Sequence, residues 1–277
     1  MMETRELMMN PEDNRPVALL HDPGPSHAKI WADLPNDGFV VERGLFAADE
    51  VDQVRGQIDA LFEDYANLPA GHAYDLDRRG GDGGPGNIPA IRDVLSLRPS
   101  LRQTRGMARA IALAGELLGR PAEILWDAAI YKPAGSQSET PWHQDEAVYD
   151  LNGQIRKPRS MVYFWIALDP VTELGGTIRF VPGSHIGPLM SHAWRHGDRT
   201  SSLELQTPVD PASVACVPLG AGDATIHHPR ALHGTGPNNS DRCRKAWVLG
   251  IGCPWAPAWL RRINRWRVAR RAPKHGG

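Results

Sequence analysis

The segment GAGDATIHHPRALHGTGPNNSDRCRKAWVLGIGCP, from Gly220 to Pro254, shows the pattern that decides the fold. Its short apolar runs are separated by Gly, Pro, Asn and Asp, the residues that favour turns. The same pattern begins after Pro121 and continues through ILWDAAIYKP, SMVYFWIALDPV and GTIRFVPGSH. Many short strands joined by turns are typical of a jelly-roll or cupin-like barrel. The sequence therefore predicts a mainly β fold with flanking helices and a double-stranded β-helix core.

The first half of the chain contains the predicted helices. Val40 and Val41 begin a short strand, and residues 47–49 offer an N-cap for a helix. That helix is predicted from four apolar residues that recur at helical spacing: Val51, Val54, Ile58 and Leu61. A second helix is predicted over Met107 to Leu118, and Gly119 ends it.

These patterns divide the chain into three parts. Residues 1–35 are predicted as an N-terminal extension. Residues 36–260 are predicted as one domain, with helical support over 45–120 and a jelly-roll core over about 121–255. Residues 261–277 form a basic tail, predicted as part of a solvated helix that packs through Trp259 and Trp266. The Gly-rich segment from Asp75 to Asn87 is predicted as a surface loop.

Composition argues against several classes of partner. The 277 residues carry 31 Lys and Arg against 32 Asp and Glu, a net charge of -1, so no overall field attracts nucleic acid or anionic lipid. The longest apolar run, Met161 to Leu168, is far shorter than the roughly 20 residues that cross a bilayer. Residues 1–16 lack the apolar segment of a secretory signal, and Cys216, Cys243 and Cys253 form no CxxC pair. We therefore predict a cytoplasmic protein with reduced thiols and a small-molecule substrate.

Two metal ligands are predicted from the motif WHQD, which begins at Trp142. On an extended chain, side chains at i and i+2 project to the same side, so His143 and Asp145 face one point. A third, neutral nitrogen ligand would complete the set of two histidines and one carboxylate that leaves open coordination positions on non-heme Fe(II). The candidates for this third ligand are His185, His227, His228 and His233.

The surroundings of His233 favour it as the third ligand. Thr235 follows on the same predicted strand, and Arg244 comes 11 residues after His233, on what should be the adjacent antiparallel strand. A buried Arg can hold a carboxylate bidentately, as the distal carboxylate of 2-oxoglutarate requires. The Thr hydroxyl can donate to the same carboxylate. The pattern therefore predicts an iron site beside a 2-oxoglutarate site.

Through these motifs, the chain resembles the phytanoyl-CoA dioxygenase (PhyH-type) family of Fe(II)- and 2-oxoglutarate-dependent oxygenases. The resemblance covers about residues 36–255 and rests on WHQD, YFWIALDPV, GGTIRFVPGSH, GAGDATIHHPRALHGTGPNNS and Arg244. It implies that Fe(II) is bound by His143, Asp145 and His233, and that O2 is consumed. It also implies that Arg244 and Thr235 anchor 2-oxoglutarate.

The resemblance also ranks the other candidate residues. Trp165 matches a tryptophan that lines the family's cosubstrate pocket, with a plain core aromatic as the alternative reading, and Gln144 of WHQD is a further predicted cofactor contact. His185 and His228 match positions that are usually structural, and Asp223 is predicted to fix a turn. The segments 151–159 and 190–211 are predicted to rim the pocket. The predicted substrate contacts are Arg92, Tyr149 and Trp194.

The implied reaction is hydroxylation of an unactivated C–H bond in a small, secondary-metabolite-like molecule, with release of succinate and CO2. Asp145 argues against halogenation, because related halogenating enzymes have Gly or Ala at this position. Desaturation, epimerisation and oxidative cyclisation use the same ligands and stay open as alternatives. A non-catalytic ligand-binding barrel is the less favoured alternative. The motifs leave the substrate and the oligomeric state open.

Overall fold

The computed structural model describes residues 37–77, 87–152, 161–199 and 201–253, and two short strands near the N-terminus. Four predictions fall wholly or largely outside these residues: the N-terminal extension, the Gly-rich loop, the rim segment that follows residue 152, and the basic tail with its tryptophans.

Most regular elements are short strands. The strands are β1 Met8–Met9, β2 Pro16–Val17, β3 Phe39–Glu42, β4 Ala73–Asp75, β5 Pro89–Arg92, β6 Glu123–Lys132, β7 Thr140–His143, β8 Met161–Ala167, β9 Ile178–Phe180, β10 His192–Trp194, β11 Leu203–Leu205, β12 Ala215–Cys216, β13 Ala224–His227, β14 His233–Thr235 and β15 Arg244–Gly252. The α-helices are α1 Ala48–Glu63, α2 Val94–Leu97, α3 Arg105–Leu118 and α4 Ala147–Leu151. Short 3-10 turns lie at Tyr65–Asn67, Pro99–Gln103, Arg195–Gly197 and Pro211–Ser213.

Two antiparallel sheets face each other and form the core. The larger has seven strands in the order β3-β13-β8-β15-β6-β5-β4, and the smaller has four in the order β12-β9-β14-β7. Their facing sides share one apolar cluster, in which the rings of Phe39 and Phe180 stack at 4.2 Å. Helices α1 and α3 cover the opposite side of the larger sheet. The predicted mainly β jelly roll with flanking helices is confirmed.

Strand β8 is apolar throughout because both of its faces are covered. Val162, Phe164 and Ile166 pack in the cluster on the helix side, whereas Tyr163 and Trp165 pack in the cluster between the sheets. Successive side chains of a strand point to opposite faces, so a strand covered on both faces has no position that favours a polar residue.

The two predicted helices form, with small differences at their ends. Helix α1 begins at Ala48, and its N-cap is Ala47, which makes no side-chain capping bond. Residues 47–49 therefore provide no polar cap, contrary to the prediction. Helix α3 begins two residues earlier than predicted, because the Thr104 side chain caps it by accepting from the Met107 amide. It ends at Gly119, whose φ of 65° is the left-handed conformation that glycine adopts without strain.

Two expectations about strand placement need correction. The large sheet also contains β3, β4 and β5, so it draws strands from before residue 121 as well as from the predicted jelly-roll segment. Arg244 does not lie on a strand adjacent to that of His233, because β14 belongs to the small sheet and β15 pairs with β6 and β8 in the large one. The intervening loop crosses from one sheet to the other.

The predictions about thiols and membrane spans can also be compared with the described residues. Cys216, Cys243 and Cys253 are not joined in disulfides, as expected for reduced thiols. Within the described ranges, no helix combines the length and apolar character needed to cross a membrane.

Candidate functional site

Several polar side chains point into the space between the sheets. They occupy alternate positions of their strands, on the same face as the apolar residues that point inward. On β15, Trp247, Leu249 and Ile251 pack on the helix side, so the even-numbered residues of that strand face the sandwich interior. The same alternation on β6 and β13 places further polar residues there. These inward residues, all at most 4% exposed, are Lys132, Thr225, His227 and Arg244.

The three predicted metal ligands come together at one end of the small sheet. His143 on β7 and His233 on β14 are direct cross-strand partners, with ring centroids 4.2 Å apart. Asp145 follows β7, with Oδ1 3.6 Å from His143 Nε2 and Oδ2 3.7 Å from His233 Nε2. Within the described part of the chain, these three residues can offer ligand atoms that lie within 4.8 Å of one another.

Backbone hydrogen bonds leave both histidines in the form that binds a metal. His143 Nδ1 lies 2.8 Å from Pro141 O, and His233 Nδ1 lies 2.9 Å from Ala231 O. A carbonyl oxygen can only accept, so each Nδ1 carries a hydrogen, and in the neutral ring Nε2 then has the lone pair that a metal needs. Second hydrogen bonds of this kind orient histidine ligands in metalloproteins.

The charge states of the cluster also suit a divalent cation. Burial lowers the pKa of His233 well below its usual value, which keeps the ring neutral. Burial alone would raise the pKa of Asp145, but the His233 ring that faces it and the hydrogen bond from His227 hold that pKa well below its usual range. Two imidazoles and one carboxylate form a donor set that fits non-heme Fe(II).

His227 belongs to this site in a role that the sequence did not predict. Its Nε2 lies 3.3 Å from Asp145 Oδ2, on the side of the carboxylate away from His143, and its ring is 1% exposed. Its ring stacks on Tyr163, and its Nδ1 has no hydrogen-bond partner among the described residues. His227 therefore acts on the carboxylate ligand by donating to it. It was one of four candidate third ligands, and only the inward parity of β13 separates it from its neighbour His228.

Arg244 provides a buried cation on the opposite wall of the same cavity. It is 4% exposed, and none of its guanidinium nitrogens has a hydrogen-bond partner in the described part of the chain. Burial lowers its pKa to about 10, so it stays charged near neutral pH. The guanidinium carbon lies 5.3 Å from the centroid of the Trp165 ring. An unpaired buried cation is costly, and a carboxylate brought into the cavity would satisfy it.

A cavity of about 420 Å³ connects the metal cluster with this cation. Its wall contains all three candidate ligands, both predicted cosubstrate anchors, the predicted Trp165 and the three predicted substrate contacts: His143, Asp145, His233, Thr235, Arg244, Trp165, Arg92, Tyr149 and Trp194. Two buried donors on this wall, Arg92 Nε and Trp194 Nε1, have no hydrogen-bond partner among the described residues. The hairpin β10-β11 supplies Trp194 and Leu203, so part of the segment 190–211 borders the cavity as predicted.

The structure does not bring Gln144 to the cavity. Its side chain is fully buried, and it donates to Arg230 O at 2.8 Å and accepts from the Met190 amide at 2.8 Å. Its own amide donates to His192 Nε2 at 3.0 Å. The side chain points away from the ligands on either side because side chains alternate along an extended segment. Gln144 thus ties the ligand segment to the rim hairpin.

The residues predicted as structural lie outside the cavity wall. His185 and His228 pack against each other with ring centroids 5.6 Å apart, and His228 Nδ1 accepts from the Arg230 amide. Asp223 accepts from the amides of Gly44 and Gly220 and pairs with Arg43. It fixes the turn before β13, as predicted.

The chain is similar to known proteins in both sequence and structure. A model of the family described as phytanoyl-CoA dioxygenase (PhyH) matches residues 34–246. A relative described as a probable alpha-ketoglutarate-dependent hypophosphite dioxygenase, from Stutzerimonas stutzeri, is 30% identical over 135 residues. That match covers 47% of this chain and 44% of the relative, so it spans less than half the length of either protein.

Two solved structures share the fold over most of the chain. EvdO2 from Micromonospora carbonacea var. aurantiaca, crystallised with 2-oxoglutarate, is 27% identical with a TM-score of 0.66, and the match covers 86% of this chain and 96% of EvdO2. The epimerase SnoN, solved with Fe3+, alpha ketoglutarate and nogalamycin RO, is 22% identical with a TM-score of 0.60, and the match covers 91% of each chain. The likeness to SnoN concerns the fold alone.

Proposed function

Because the chain belongs to the phytanoyl-CoA dioxygenase (PhyH) family of Fe(II)- and 2-oxoglutarate-dependent oxygenases, we propose that it hydroxylates an unactivated C–H bond of a small molecule. The match to the family covers residues 34–246, so the proposal applies to most of the chain. The observation that carries it is the single cavity that joins a His-Asp-His cluster to a buried, unpartnered arginine. These are the two halves of a site for a metal-chelating dicarboxylate.

The metal half of the site is assigned to His143, Asp145 and His233. Their free Nε2 atoms and carboxylate would hold Fe(II), and His227 would keep the Asp145 carboxylate oriented. When bound, the iron supplies the chemistry of O2 and of oxidative decarboxylation of 2-oxoglutarate to succinate and CO2. The protein contributes ligand geometry and a cavity lined by both sheets.

The cosubstrate half is assigned to Arg244, Thr235 and Trp165. Arg244 would form a bidentate, charge-assisted pair with the distal carboxylate of 2-oxoglutarate, a geometry that lysine cannot reproduce. The Thr235 hydroxyl lies on the same wall and would donate to that carboxylate. The Trp165 ring beside the guanidinium would orient it and exclude water from the pair.

The substrate half of the cavity is assigned to Arg92, Tyr149 and Trp194. Arg92 and Trp194 each bring a buried N–H donor without a partner in the described structure, so the substrate is expected to present acceptor oxygens. Aromatic side chains make up much of the remaining wall, and they suit an apolar skeleton: Tyr74, Trp126, Tyr149, Tyr163 and Trp194. The volume of about 420 Å³ must also hold 2-oxoglutarate, which favours a small-molecule substrate.

Three other outcomes use the same residues. Epimerisation, desaturation and oxidative cyclisation need no change of ligands, and the fold is shared with the epimerase SnoN. Substrate pose, rather than a motif, separates them from hydroxylation. A barrel that only binds a ligand is the second class of function, and the complete set of metal and cosubstrate residues argues against it.

The test is succinate formation by the purified protein with Fe(II), 2-oxoglutarate and O2, first alone and then with pools of candidate small molecules. Oxygenases of this type are expected to turn over 2-oxoglutarate slowly without substrate and faster with it. Incorporation of oxygen from 18O2 into the product then separates hydroxylation from epimerisation and desaturation. A protein that binds metal and 2-oxoglutarate but forms no succinate with any pool would contradict the proposal and support the binding barrel.

A further inference from the structure

Lys132 is a fully buried basic residue that the proposed reaction does not yet use. It ends β6 directly opposite Arg244 on β15, and cross-strand partners project to the same side of a sheet, so two basic groups share one interior face. Its Nζ donates to Thr235 Oγ1 at 2.9 Å and to Gly236 O at 2.5 Å. In the part of the chain that the structure describes, neither Lys132 nor Arg244 has a carboxylate within ion-pair distance.

We propose that Lys132 is a positioning residue for the cosubstrate: it orients the Thr235 hydroxyl toward the distal carboxylate of 2-oxoglutarate and places a second positive charge behind it. This inference rests on the proposed function, because it assigns Lys132 to the same cosubstrate site. It deepens that assignment by naming the group that makes the site selective for a dicarboxylate.

The direction of the hydrogen bonds supports this role. Once Lys132 is protonated, its ammonium group has donors but no acceptor, so the Thr235 oxygen accepts from Lys132 and cannot donate back to it. The hydroxyl hydrogen of Thr235 is then directed to another acceptor. Thr235 lines the cavity beside Arg244, whereas Lys132 lies behind that wall. The free hydrogen therefore serves an anion that enters the cavity next to the guanidinium.

A bound dianion would also offset the free-energy cost of burying a protonated Lys132. Burial and the neighbouring Arg244 lower the pKa of Lys132 to about 6; Arg179 and Arg195 act in the same direction, and Glu139 opposes them. A carboxylate in the cavity acts against the effect of the arginines and favours the ammonium form. Binding of 2-oxoglutarate should therefore be coupled to proton uptake by Lys132, and the ammonium then fixes the Thr235 hydroxyl in its donating orientation.

The test compares two ligands on Mn(II)-loaded protein by titration calorimetry. 2-Oxoglutarate and 2-oxopentanoate have the same chelating end, but only 2-oxoglutarate has a distal carboxylate. Lys132→Met should lower the affinity for 2-oxoglutarate at least about tenfold, the size expected for a hydrogen bond that involves a charged group, and leave the affinity for 2-oxopentanoate unchanged. Lys245→Met is the matched control, because Lys245 lies on β15 and pairs with Asp59 outside the cavity.

Two further measurements separate positioning from a structural effect. Titrations of 2-oxoglutarate at pH 7.5 in buffers of different ionisation heat should show proton uptake by the wild-type protein that is smaller in Lys132→Met. Thr235→Val should remove most of the effect of Lys132, so the loss in the double variant should be smaller than the sum of the two single losses. If Lys132→Met does not fold, Lys132→Gln provides the same comparison with a neutral donor.

The outcomes are distinguishable from failure of the proposed function. If the wild-type protein does not bind 2-oxoglutarate, the proposed function fails. If it binds and the Lys132 variants keep the wild-type preference for 2-oxoglutarate over 2-oxopentanoate, this inference alone is overturned. An equal loss for both ligands would also overturn it, because that result indicates a general structural defect.

Discussion

The two faces of the large sheet are made from the same strands, yet they contribute differently to the molecule. The face toward α1 and α3 is mainly apolar, with Phe164, Trp247 and Leu249 each at most 1% exposed. The carboxylates buried there have partners: Asp127 accepts from Trp247, and Glu42 pairs with Arg109. The face toward the small sheet carries Lys132 and Arg244, each at most 4% exposed, and Arg244 has no hydrogen-bond partner among the described residues. Burial of apolar area stabilises the fold, whereas burial of unpaired cations lowers its stability.

This difference indicates how the chain supports an active cavity inside its core. The helix-covered face supplies enough packing to hold the strands rigidly, and the inward face keeps polar groups whose cost is offset only when ligands bind. Variants on the two faces should therefore separate stability from ligand binding. The following predictions test that separation, beginning with the largest expected effect.

Removal of a metal ligand should abolish turnover. His143→Ala or Asp145→Ala is expected to reduce succinate formation to the level of a protein-free control, because each change removes one of three donors on one face of the metal. The midpoint of thermal unfolding without metal should change little, since both side chains are partly exposed. Either variant with wild-type turnover would contradict the assignment of the metal site.

A change on the helix-covered face should have the opposite pattern. Leu249→Ala lies on the same strand as Arg244 but faces the helices, and it should lower the free energy of unfolding by about 2–5 kcal/mol. The affinity of the folded protein for 2-oxoglutarate should stay within about twofold of wild type. Denaturant unfolding and calorimetric titration provide the two values. A large loss of affinity without loss of stability would break the comparison between the faces.

Removal of the guanidinium should weaken 2-oxoglutarate binding specifically. Arg244→Met deletes a charge-assisted contact of about 1.5–3 kcal/mol, which corresponds to an increase of about 10- to 150-fold in the KM for 2-oxoglutarate. The concentration of Fe(II) needed for half-maximal activity should change much less. Stability without ligand should not decrease, because the variant removes an unpartnered buried charge. An unchanged KM would indicate a different anchor.

The smallest effect is expected at His227, which contacts a ligand rather than the metal. His227→Leu removes the donor to Asp145 and should lower metal affinity by about 10- to 100-fold, as is typical for such outer contacts. His227→Gln keeps a donor near the same position and should recover part of the loss. His228→Leu is the neighbouring control, because His228 packs on His185 outside the cavity. Equal losses in His227→Leu and His228→Leu would overturn the role of His227.

The parts of the fold that the sequence predicted well are those set by local patterns. The strand pattern after Pro121, the two amphipathic helices and the pairing of His143 with Asp145 on one side all follow from the spacing of side chains along a strand or helix. His233 was selected by its neighbours Thr235 and Arg244, and the structure brings these residues to one cavity.

The parts that the sequence did not predict depend on contacts between sheets. The spacing between His233 and Arg244 does not reveal that the chain changes sheets, so the two were expected on adjacent strands. Lys132 and His227 point into the cavity side of their strands because of their positions in the alternation. Both strands are covered on both faces, so the sequence alone does not distinguish the inward side from the helix side. Gln144 was predicted as a cofactor contact from its place in WHQD, but alternation turns it away from its neighbours.

The most direct test of the account is an anaerobic titration of the purified protein with Fe(II) and 2-oxoglutarate, followed by the weak visible charge-transfer band of the chelate. The account predicts that the band appears in the wild-type protein and in Leu249→Ala, is absent in Asp145→Ala, and needs more 2-oxoglutarate in Arg244→Met. Iron binding without the band in the wild-type protein, or a band that is unchanged in Asp145→Ala, would contradict the claim that one cavity holds both the metal and the cosubstrate.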